Sequence, residues 1–453
     1  MYIQNNSILT ANEIEGSNES PSKEIIYQLI KYCIVFSLVT EGFGDSVFGV
    51  DIHTNISTVF IFLALLIQIV TKTLRVSKFL LAIFIFILVQ TYILNLNNIS
   101  NFSSIKQFGG LILFSISIFS FISVNNNRII NIVKTYYKLV IFITIISILQ
   151  IVIFIFLGIS IIPHSILSGN ITGKSLVPEI LGILPRAIGL STEPASYAII
   201  SLPGVYIALL ALTNKTNTLN IKNKKVASIV LLGYILSFSL VGYFGLFLCL
   251  ISIFAHDLKN SFFTKSIFIF LFIGLLFVIS STSIGSKVSS FINVQKDIRG
   301  YEYTSSDLSA FALLSNVVVA QEALKSSHYI GTGLNTHKDS YDKTIYTQFQ
   351  ISQVILQLNR EDAGSLFIRI TSEFGIPGIL SFLFFLMHYR LGNKIKPSAI
   401  RTINELSLIV LICYCARAGN YINVIFILFS SLYYYSFKLQ RTDYDLGENA
   451  KLI

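Results

Sequence analysis

Apolar runs of about 17–25 residues recur along the chain, and each is long enough to cross a bilayer as a helix. We count about twelve such runs, and the seventh and eighth are short enough to predict a tight hairpin around Gly242. The runs cover 25–41, 55–71, 78–94, 107–124, 138–158, 195–213, 226–239, 241–256, 265–282, 364–388, 404–417 and 420–437. Because 53% of the residues are hydrophobic and 12% are charged, a water-soluble globule is excluded. The pattern predicts an all-α polytopic integral membrane protein with about twelve transmembrane helices.

Basic residues concentrate in every second connection, which orients the predicted spans. Lys72, Arg75 and Lys78 share one connection, whereas 41–55 contains no Lys or Arg. The alternation predicts that both termini are cytoplasmic, and it assigns the net charge of +10 to topology rather than to nucleic-acid binding. The predicted segments are a cytoplasmic tail 1–24, nine spans within 25–282 with an external loop 159–194, a large external loop 283–363, three spans within 364–437 and a cytoplasmic tail 438–453.

The loop 283–363 is far longer than a connection needs to be. Within it, "SAFALLSNVVVAQEALKSSHY" carries apolar residues such as Phe311, Leu314 and Val318 at helical spacing, so the loop is predicted to be partly helical. Long loops on a rigid scaffold usually carry function.

Charged side chains beside predicted spans indicate a site at the outer face. Arg186 and Glu193 lie in "PRAIGLSTEPASYAII", where Thr192 is predicted to be an N-cap and Pro194 a first-turn residue. This stretch is also consistent with ordinary helix-start chemistry and an interfacial arginine.

Arg369 and Glu373 are four residues apart in "SLFIRITSEFGIPG" and therefore lie on one helix face. The alternative role is an internal ion pair that orients helices. Arg417 is a third arginine predicted at the outer face, and its alternative role is an interfacial anchor. Together, a helix N-terminus and several arginines favour a phosphate ligand.

Other chemistry has little support in the sequence. The four cysteines lie in predicted spans, no Cys/His cluster has the spacing of metal ligands, and no nucleotide-binding fingerprint is present. We therefore expect no cofactor, no metal and no nucleic-acid partner.

Three stretches resemble motifs of the bacterial O-antigen and capsule repeat-unit polymerases of the Wzy type. "RAIGLSTEPASYA" is similar to that family's Arg-x-x-Gly…Glu-Pro-Ser motif. "IGTGLNTH" resembles its Gly-x-Gly segment, and "SLFIRITSEFGIPGIL" resembles its segment ending in Glu-x-Gly-hydrophobic-x-Gly. The layout of spans and outer loops is similar as well.

The resemblance implies a metal-independent glycosyltransferase in the bacterial inner membrane. A growing glycan on undecaprenyl diphosphate would be transferred onto a new lipid-linked repeat unit, and a chain-length regulator protein is a further candidate partner. The diphosphate would be bound by Arg186, Arg369, Arg299 and Arg417.

For the acceptor hydroxyl, a carboxylate is the natural base or orienting group, and Glu193 is the candidate, although it could equally hold Arg186 in place. Glu373 and His337 are assigned supporting roles.

Two alternatives remain open. The related O-antigen ligases share this layout but carry a His-Asn pair about ten residues before the glycine that matches Gly375, and here those positions lie near Gly364 and Ser365, with no histidine. A flippase or transporter of lipid-linked oligosaccharide would instead predict charges through the bilayer midplane and repeated halves.

Overall fold

The computed structural model describes residues 21–40, 46–47, 50–51, 56–93, 102–125, 128–158, 178–180, 184–213, 219, 221, 223–254, 308–348, 358–392 and 398–449. Within these residues the chain forms thirteen α-helices: α1 Pro21–Thr40, α2 Ile56–Val70, α3 Lys78–Leu88, α4 Phe102–Val124, α5 Ile129–Leu157, α6 Pro194–Leu212, α7 Lys224–Ile235, α8 Leu240–Phe254, α9 Leu308–Ser326, α10 His337–Gln348, α11 Leu366–His388, α12 Ala399–Arg417 and α13 Val424–Asn449. A π-helical turn, Val89–Ile93, continues α3. Two small antiparallel hairpins pair β1 Ser46–Val47 with β2 Val50–Asp51, and β3 Pro178–Ile180 with β4 Leu184–Pro185.

Five of these helices are long and apolar enough to cross a membrane: Ser104–Val124 within α4, and the whole of α5, α6, α11 and α12. Three further apolar helices are shorter, namely Ile56–Val70, Lys78–Tyr92 and Leu240–Phe254. The predicted all-helical class is confirmed, with five candidate membrane-spanning helices among the described residues, and the number of twelve spans stays a prediction. Eleven of the twelve predicted runs coincide with a helix, and the ninth, 265–282, lies outside the described residues.

Helices α11, α12 and α13 are successive antiparallel neighbours. Ser365, just before α11, donates a hydrogen bond of 2.8 Å to the carbonyl of Cys415 near the end of α12. At the other end, the Asn404 side chain donates to the carbonyls of Tyr389 and Tyr433 at 3.0 and 3.1 Å. We call the end that carries Ser365 and Cys415 the upper end of the bundle.

Helix α6 also begins at the upper end. Tyr136 of α5 donates to the carbonyl of Ile200 and stacks edge-on against Phe429 of α13, whereas Tyr206 donates to Glu405 at 2.8 Å, near the lower end of α12. The chain of α6 therefore descends from Pro194, which brings the stretch before it to the same end as Ser365.

The predicted hairpin between the seventh and eighth runs is present, but its turn is not at Gly242. Helix α7 ends at Ile235 and α8 starts at Leu240, so Gly242 lies inside α8. A Cβ on Gly242 would come within 3.1 Å of the Ala198 side chain. The glycine therefore lets α8 pack closely on α6, which is why the residue is small.

Candidate functional site

Arg369 and Glu373 form a buried ion pair at the upper end of the bundle. The Arg369 Nε lies 2.9 Å from Glu373 Oε1, and the two side chains are only 4% and 0% exposed. The spacing of four residues therefore brings both groups to one face, and that face is interior. A pair exposed to lipid would be far more costly.

Most of the N–H groups of Arg369 donate hydrogen bonds to other protein groups. Beyond the bond to Glu373, Nη1 donates to the carbonyl of Gly419 at 3.2 Å. Nη2 donates to Asn335 Oδ1 at 2.9 Å and to the Tyr421 hydroxyl at 3.3 Å. One bond from Nε, one from Nη1 and two from Nη2 use four of the five donors of a guanidinium. The guanidinium also lies 4.3 Å from the centre of the Tyr421 ring, an arrangement typical of a cation–π contact.

The second oxygen of Glu373, Oε2, is buried and makes no hydrogen bond of good geometry within the described residues. The Tyr421 hydroxyl nevertheless lies within hydrogen-bonding reach of the same carboxylate. The arrangement concentrates one positive and one negative charge in a place from which bulk water is excluded, where each acts strongly on its neighbours.

Helix α11 is broken directly after this pair, and a segment of the preceding loop repairs the break. Gly375 has φ 59 and ψ −152, outside helical geometry, and Pro377 has no N–H to give to the carbonyl of Glu373. The N–H of Gly333 donates a hydrogen bond of 2.8 Å to the Glu373 carbonyl instead. The N–H of Thr332 donates one of 3.0 Å to the carbonyl of Ser372.

We call residues 329–337 the strap. The strap also accepts a hydrogen bond: the N–H of Ile376 donates to the Tyr329 carbonyl at 3.0 Å. The strap thus provides hydrogen-bond partners for the backbone groups of Ser372, Glu373 and Ile376 that the break in the helix leaves unpaired.

Two glycines allow the strap and the helix to approach backbone to backbone. Gly331 has φ +98, and a Cβ on it would lie 2.5 Å from the N of Gly375. Gly375 has φ +59, and a Cβ there would collide with the carbonyl oxygen of Tyr329. The sequence motifs "IGTGLNTH" and "EFGIPG" are therefore two sides of one contact.

His337, at the end of the strap, is buried and bonded through both ring nitrogens. Nδ1 lies 2.8 Å from Ser372 Oγ, and Nε2 lies 2.8 Å from Asn316 Oδ1. Since Asn316 uses its NH₂ group to donate to the Ala312 carbonyl at 2.6 Å, its Oδ1 must accept. His337 is then the Nε2–H tautomer and accepts at Nδ1, so the Ser372 hydroxyl, which also lies 3.0 Å from the Arg369 carbonyl, shares its one proton between these two acceptors.

Burial and, secondarily, the charge of Arg369 lower the pKa of His337 to about 3. The ring is therefore neutral at physiological pH. His337 fixes the strap to α9 and α11, which is consistent with the supporting role expected for it and not with an exposed base.

A cavity of about 630 Å³ runs beneath this cluster between α3, α4, α11 and α13. Its lining is almost entirely apolar. The upper end is lined by Leu334, Leu366 and Tyr421, and the lower end by Phe79 and Tyr389. The aromatic ring of Tyr421 thus separates the apolar cavity from the guanidinium of Arg369.

Arg186 lies at the upper end but is held by a different part of the bundle. Its Nη2 donates to the carbonyl of Phe238 at 3.0 Å and its Nε to that of Ser237 at 3.3 Å. Both carbonyls belong to the turn between α7 and α8. A cation is favoured there because the carbonyls at a helix C-terminus are otherwise unpaired.

Glu193, rather than Thr192, is the N-cap of α6. Its backbone is extended, with φ −149 and ψ 158, its side chain makes no capping bond, and Pro194 takes the first helical position. The predicted cap was wrong by one residue because the proline, whose missing N–H is tolerated at that position, determines where the helix begins. The Glu193 carboxylate is half-buried.

Of the predicted site arginines that the structure describes, Arg417 makes the fewest hydrogen bonds. It is half-buried at the end of α12, and its one hydrogen bond among the described residues is a long one, 3.5 Å from Nη1 to the carbonyl of Gly364. Arg299 lies outside the described residues. The contacts thus join Arg369, Glu373 and His337 in one cluster, put Arg417 beside it, and hold Arg186 at the α7–α8 turn.

Sequence reasoning missed Asn316, Asn335 and Tyr421. Each is a single polar residue in an ordinary context, and its importance comes from contacts between distant parts of the chain. The one available signal was the pairing of a Gly-x-Gly segment with a Gly-x-Pro-Gly segment, since both need close backbone approach.

Among the described residues no group of three or more His, Cys, Asp or Glu side chains could hold a metal ion. Comparison of the chain with protein-family models, with curated proteins and with solved structures finds no match.

Proposed function

We propose that the chain is a polysaccharide polymerase of the bacterial inner membrane. It transfers a growing glycan from undecaprenyl diphosphate onto a new lipid-linked repeat unit at the outer face. The proposal starts from the family resemblance of "RAIGLSTEPASYA", "IGTGLNTH" and "SLFIRITSEFGIPGIL".

The observation that carries the proposal is the apolar cavity whose upper end adjoins Tyr421 and Arg369, with Arg417 beside them. A lipid-linked diphosphate likewise has a charged part and an apolar part, because its doubly charged head is attached to an apolar tail. Arginine suits the head because its planar fork matches phosphate oxygens. The apolar cavity suits the tail, since burial of apolar surface is favourable.

Among the arginines, Arg417 is best suited to contact the diphosphate directly. It keeps most of its donors free among the described residues and is partly exposed. Arg186 contributes positive charge at the same end while holding the α7–α8 turn. The leaving lipid diphosphate gains negative charge as the glycosidic bond breaks, and pre-positioned cations stabilise that charge in a site poor in water.

The half-buried carboxylate of Glu193 is the candidate acceptor for the proton of the attacking hydroxyl. Arg369 is buried and gives four of its five donors to protein acceptors, so its first task is to hold together α11, the strap and the α12–α13 connection. This assignment differs from the sequence-based expectation, in which Arg369 binds the diphosphate together with Arg186, Arg299 and Arg417.

Chemical analysis of surface glycan from a deletion strain tests the proposal. A polymerase null leaves single repeat units on the final acceptor. Accumulation of long polymer on undecaprenyl diphosphate would instead identify a ligase, and single units trapped inside the cell would identify a flippase. Either result would overturn the proposal.

A further inference from the structure

The strap lies in an uncharged stretch of the chain, and two of its apolar side chains are exposed. Between Lys325 and Lys338 the sequence has no Asp, Glu, Lys or Arg. Tyr329 and Ile330 are 55% and 39% exposed. Tyrosine is enriched where a bilayer meets water. The strap thus presents an apolar edge whose composition suits the boundary of a membrane.

This apolar edge continues the outward face of α11. Five exposed apolar side chains lie below the break in the helix, namely Ile376, Leu380, Leu383, Phe384 and Met387. Their spacing places all five on one side of α11, which is one of the helices long and apolar enough to cross a membrane. An exposed apolar face of this extent on such a helix packs against lipid. The hydrogen bond from the Ile376 N–H to the Tyr329 carbonyl puts Tyr329 at the top of that face.

The helices that hold the strap are themselves apolar. The N–H of Leu334 donates to Thr91 Oγ1 of the α3 continuation at 3.2 Å, and Ser104 Oγ of α4 donates to the Leu334 carbonyl at 2.9 Å. On α11, the strap bonds to Ile376, ten residues after the first residue of the helix and about 15 Å along its axis. The strap is therefore level with the upper part of these helices.

The backbone of the strap has the hydrogen bonds that lipid would require. Non-helical backbone at membrane depth is tolerated where protein groups satisfy its N–H and C=O groups. Every N–H from Tyr329 to Leu334 donates a hydrogen bond within the described residues. Beside the exposed side chains, the carbonyls of Tyr329 and Ile330 accept from the Ile376 N–H and from Gln90 Nε2. A loop in water could leave such groups to the solvent.

We propose that residues 329–334 are inserted into the bilayer at the upper end, so that Tyr329 and Ile330 contact the acyl chains of phospholipids. The segment belongs to the loop that the sequence places outside, and it forms a short anchor that returns to the membrane between α9 and α10. This placement depends on the membrane-spanning helices and not on the proposed enzymatic activity.

Tryptophan fluorescence tests this placement, because the chain contains no tryptophan. Tyr329→Trp introduces a single reporter into the full chain, which is reconstituted in phosphatidylcholine vesicles whose acyl chains carry bromine. Leu383→Trp is the matched reference inside the bilayer, since it lies about 10 Å further along α11 than Ile376. Glu361→Trp is the reference in water, since the Glu361 side chain is 77% exposed.

We expect bromine near the headgroup end of the acyl chains to quench Tyr329→Trp more strongly than bromine near the chain end, and the opposite order for Leu383→Trp. Aqueous iodide should quench Glu361→Trp more strongly than Tyr329→Trp. Quenching of Tyr329→Trp by iodide and not by bromine would overturn the proposal, because the strap would then lie in water. Quenching by neither would overturn it as well, because protein rather than lipid would then cover the position.

A charged substitution gives a measurement that needs no tryptophan at position 329. Ile330→Asp places a carboxylate against lipid, which is costly, whereas a surface substitution in water usually has little effect. Gln321→Asp is the control, because it adds the same charge at an exposed position of α9. We expect a downward shift of Tm in lipid nanodiscs for Ile330→Asp and none for Gln321→Asp. Equal Tm values for the two variants would refute the insertion.

Discussion

At the scale of single residues, the described arginines of the upper end divide into Arg186 and Arg369, which hold parts of the protein together, and Arg417, which makes few contacts with the rest of the described chain. Arg186 and Arg369 both donate to backbone carbonyls. Arg417 makes one long bond among the described residues. A loss of charge should therefore have different effects at these positions.

Substitution of Arg417 and of Arg186 separates the two kinds of arginine. Arg417→Ala should shorten the surface polymer drastically at normal protein level, and Arg417→Lys should restore little, because a lysine lacks the planar fork. Arg186→Ala should also lower stability by about 1–3 kcal/mol, since it leaves the carbonyls of Ser237 and Phe238 without their charged donor. Glycan gels and thermal unfolding of the purified variants measure both effects. Full-length polymer from Arg417→Ala would refute its assigned role.

Glu373 balances the buried charge of Arg369. Glu373→Gln keeps the shape of the side chain but leaves the guanidinium uncompensated, and we expect a loss of about 3–5 kcal/mol. The double variant Arg369→Gln with Glu373→Gln should lose less than the two single variants combined. Glu322→Gln is the control, because its pair with Lys325 is exposed and contributes about 1 kcal/mol or less. Chemical unfolding of the wild type, the two single variants, the double variant and the control provides the comparison, and additive losses would contradict a coupled pair.

The lowered pKa of His337 predicts that the stability of the folded chain depends on pH. Because the pKa of His337 is about 3 in the folded chain and about 6.5 when unfolded, the unfolded chain binds the extra proton first. Stability is therefore complete above pH 6.5 and falls as the pH decreases towards 3, by about 1.4 kcal/mol per pH unit. In His337→Gln this slope should be shallower between pH 6 and pH 4. Equal slopes in variant and wild type would show that His337 does not titrate in this way.

At the scale of elements, the joint between the strap and α11 should depend on glycine and not on the side chains around it. Gly375→Ala forces a side chain into a left-handed conformation and against the Tyr329 carbonyl, and we expect it to cost about 2 kcal/mol or more. Gly109→Ala is the matched control, since a Cβ there meets nothing within 4 Å and alanine favours a helix. Thermal unfolding measures the stability of the two variants. Equal stability of Gly375→Ala and Gly109→Ala would mean that the contact between the strap and α11 tolerates a side chain.

The elements also show how far the sequence determines the structure. Long apolar runs and the spacing of Arg369 and Glu373 predicted the helices and the shared face, because both follow from the local geometry of a helix. The helix over "SAFALLSNVVVAQEALKSSHY" was predicted for the same reason and is confirmed as α9. Contacts such as Arg369 to Asn335 and His337 to Asn316 could not be predicted, because they join segments brought together only by the packing of the whole bundle.

At the scale of the whole molecule, Glu193 at the start of α6, Arg369 and Glu373 in the first half of α11 and Arg417 at the end of α12 all lie at the upper end. The distribution of Lys and Arg predicts that this end faces away from the cytoplasm. A reporter fused after Lys325 should therefore behave as external, and a reporter fused after Gly392, at the lower end of α11, as cytoplasmic. Paired alkaline phosphatase and fluorescent-protein fusions measure this, and the reverse pattern would invert the orientation.

The docking of the strap on a broken helix has a consequence for biosynthesis. The strap is synthesised before its partners, the carbonyls of Ser372 and Glu373, have been added to the chain. When α11 leaves the translocon, Pro377 ensures that no later residue in the helix can satisfy the Glu373 carbonyl. An unpaired carbonyl within a bilayer costs several kcal/mol. On the predicted orientation, in which the strap is external, we therefore expect assembly of the last three helices to follow delivery of the strap rather than to precede it.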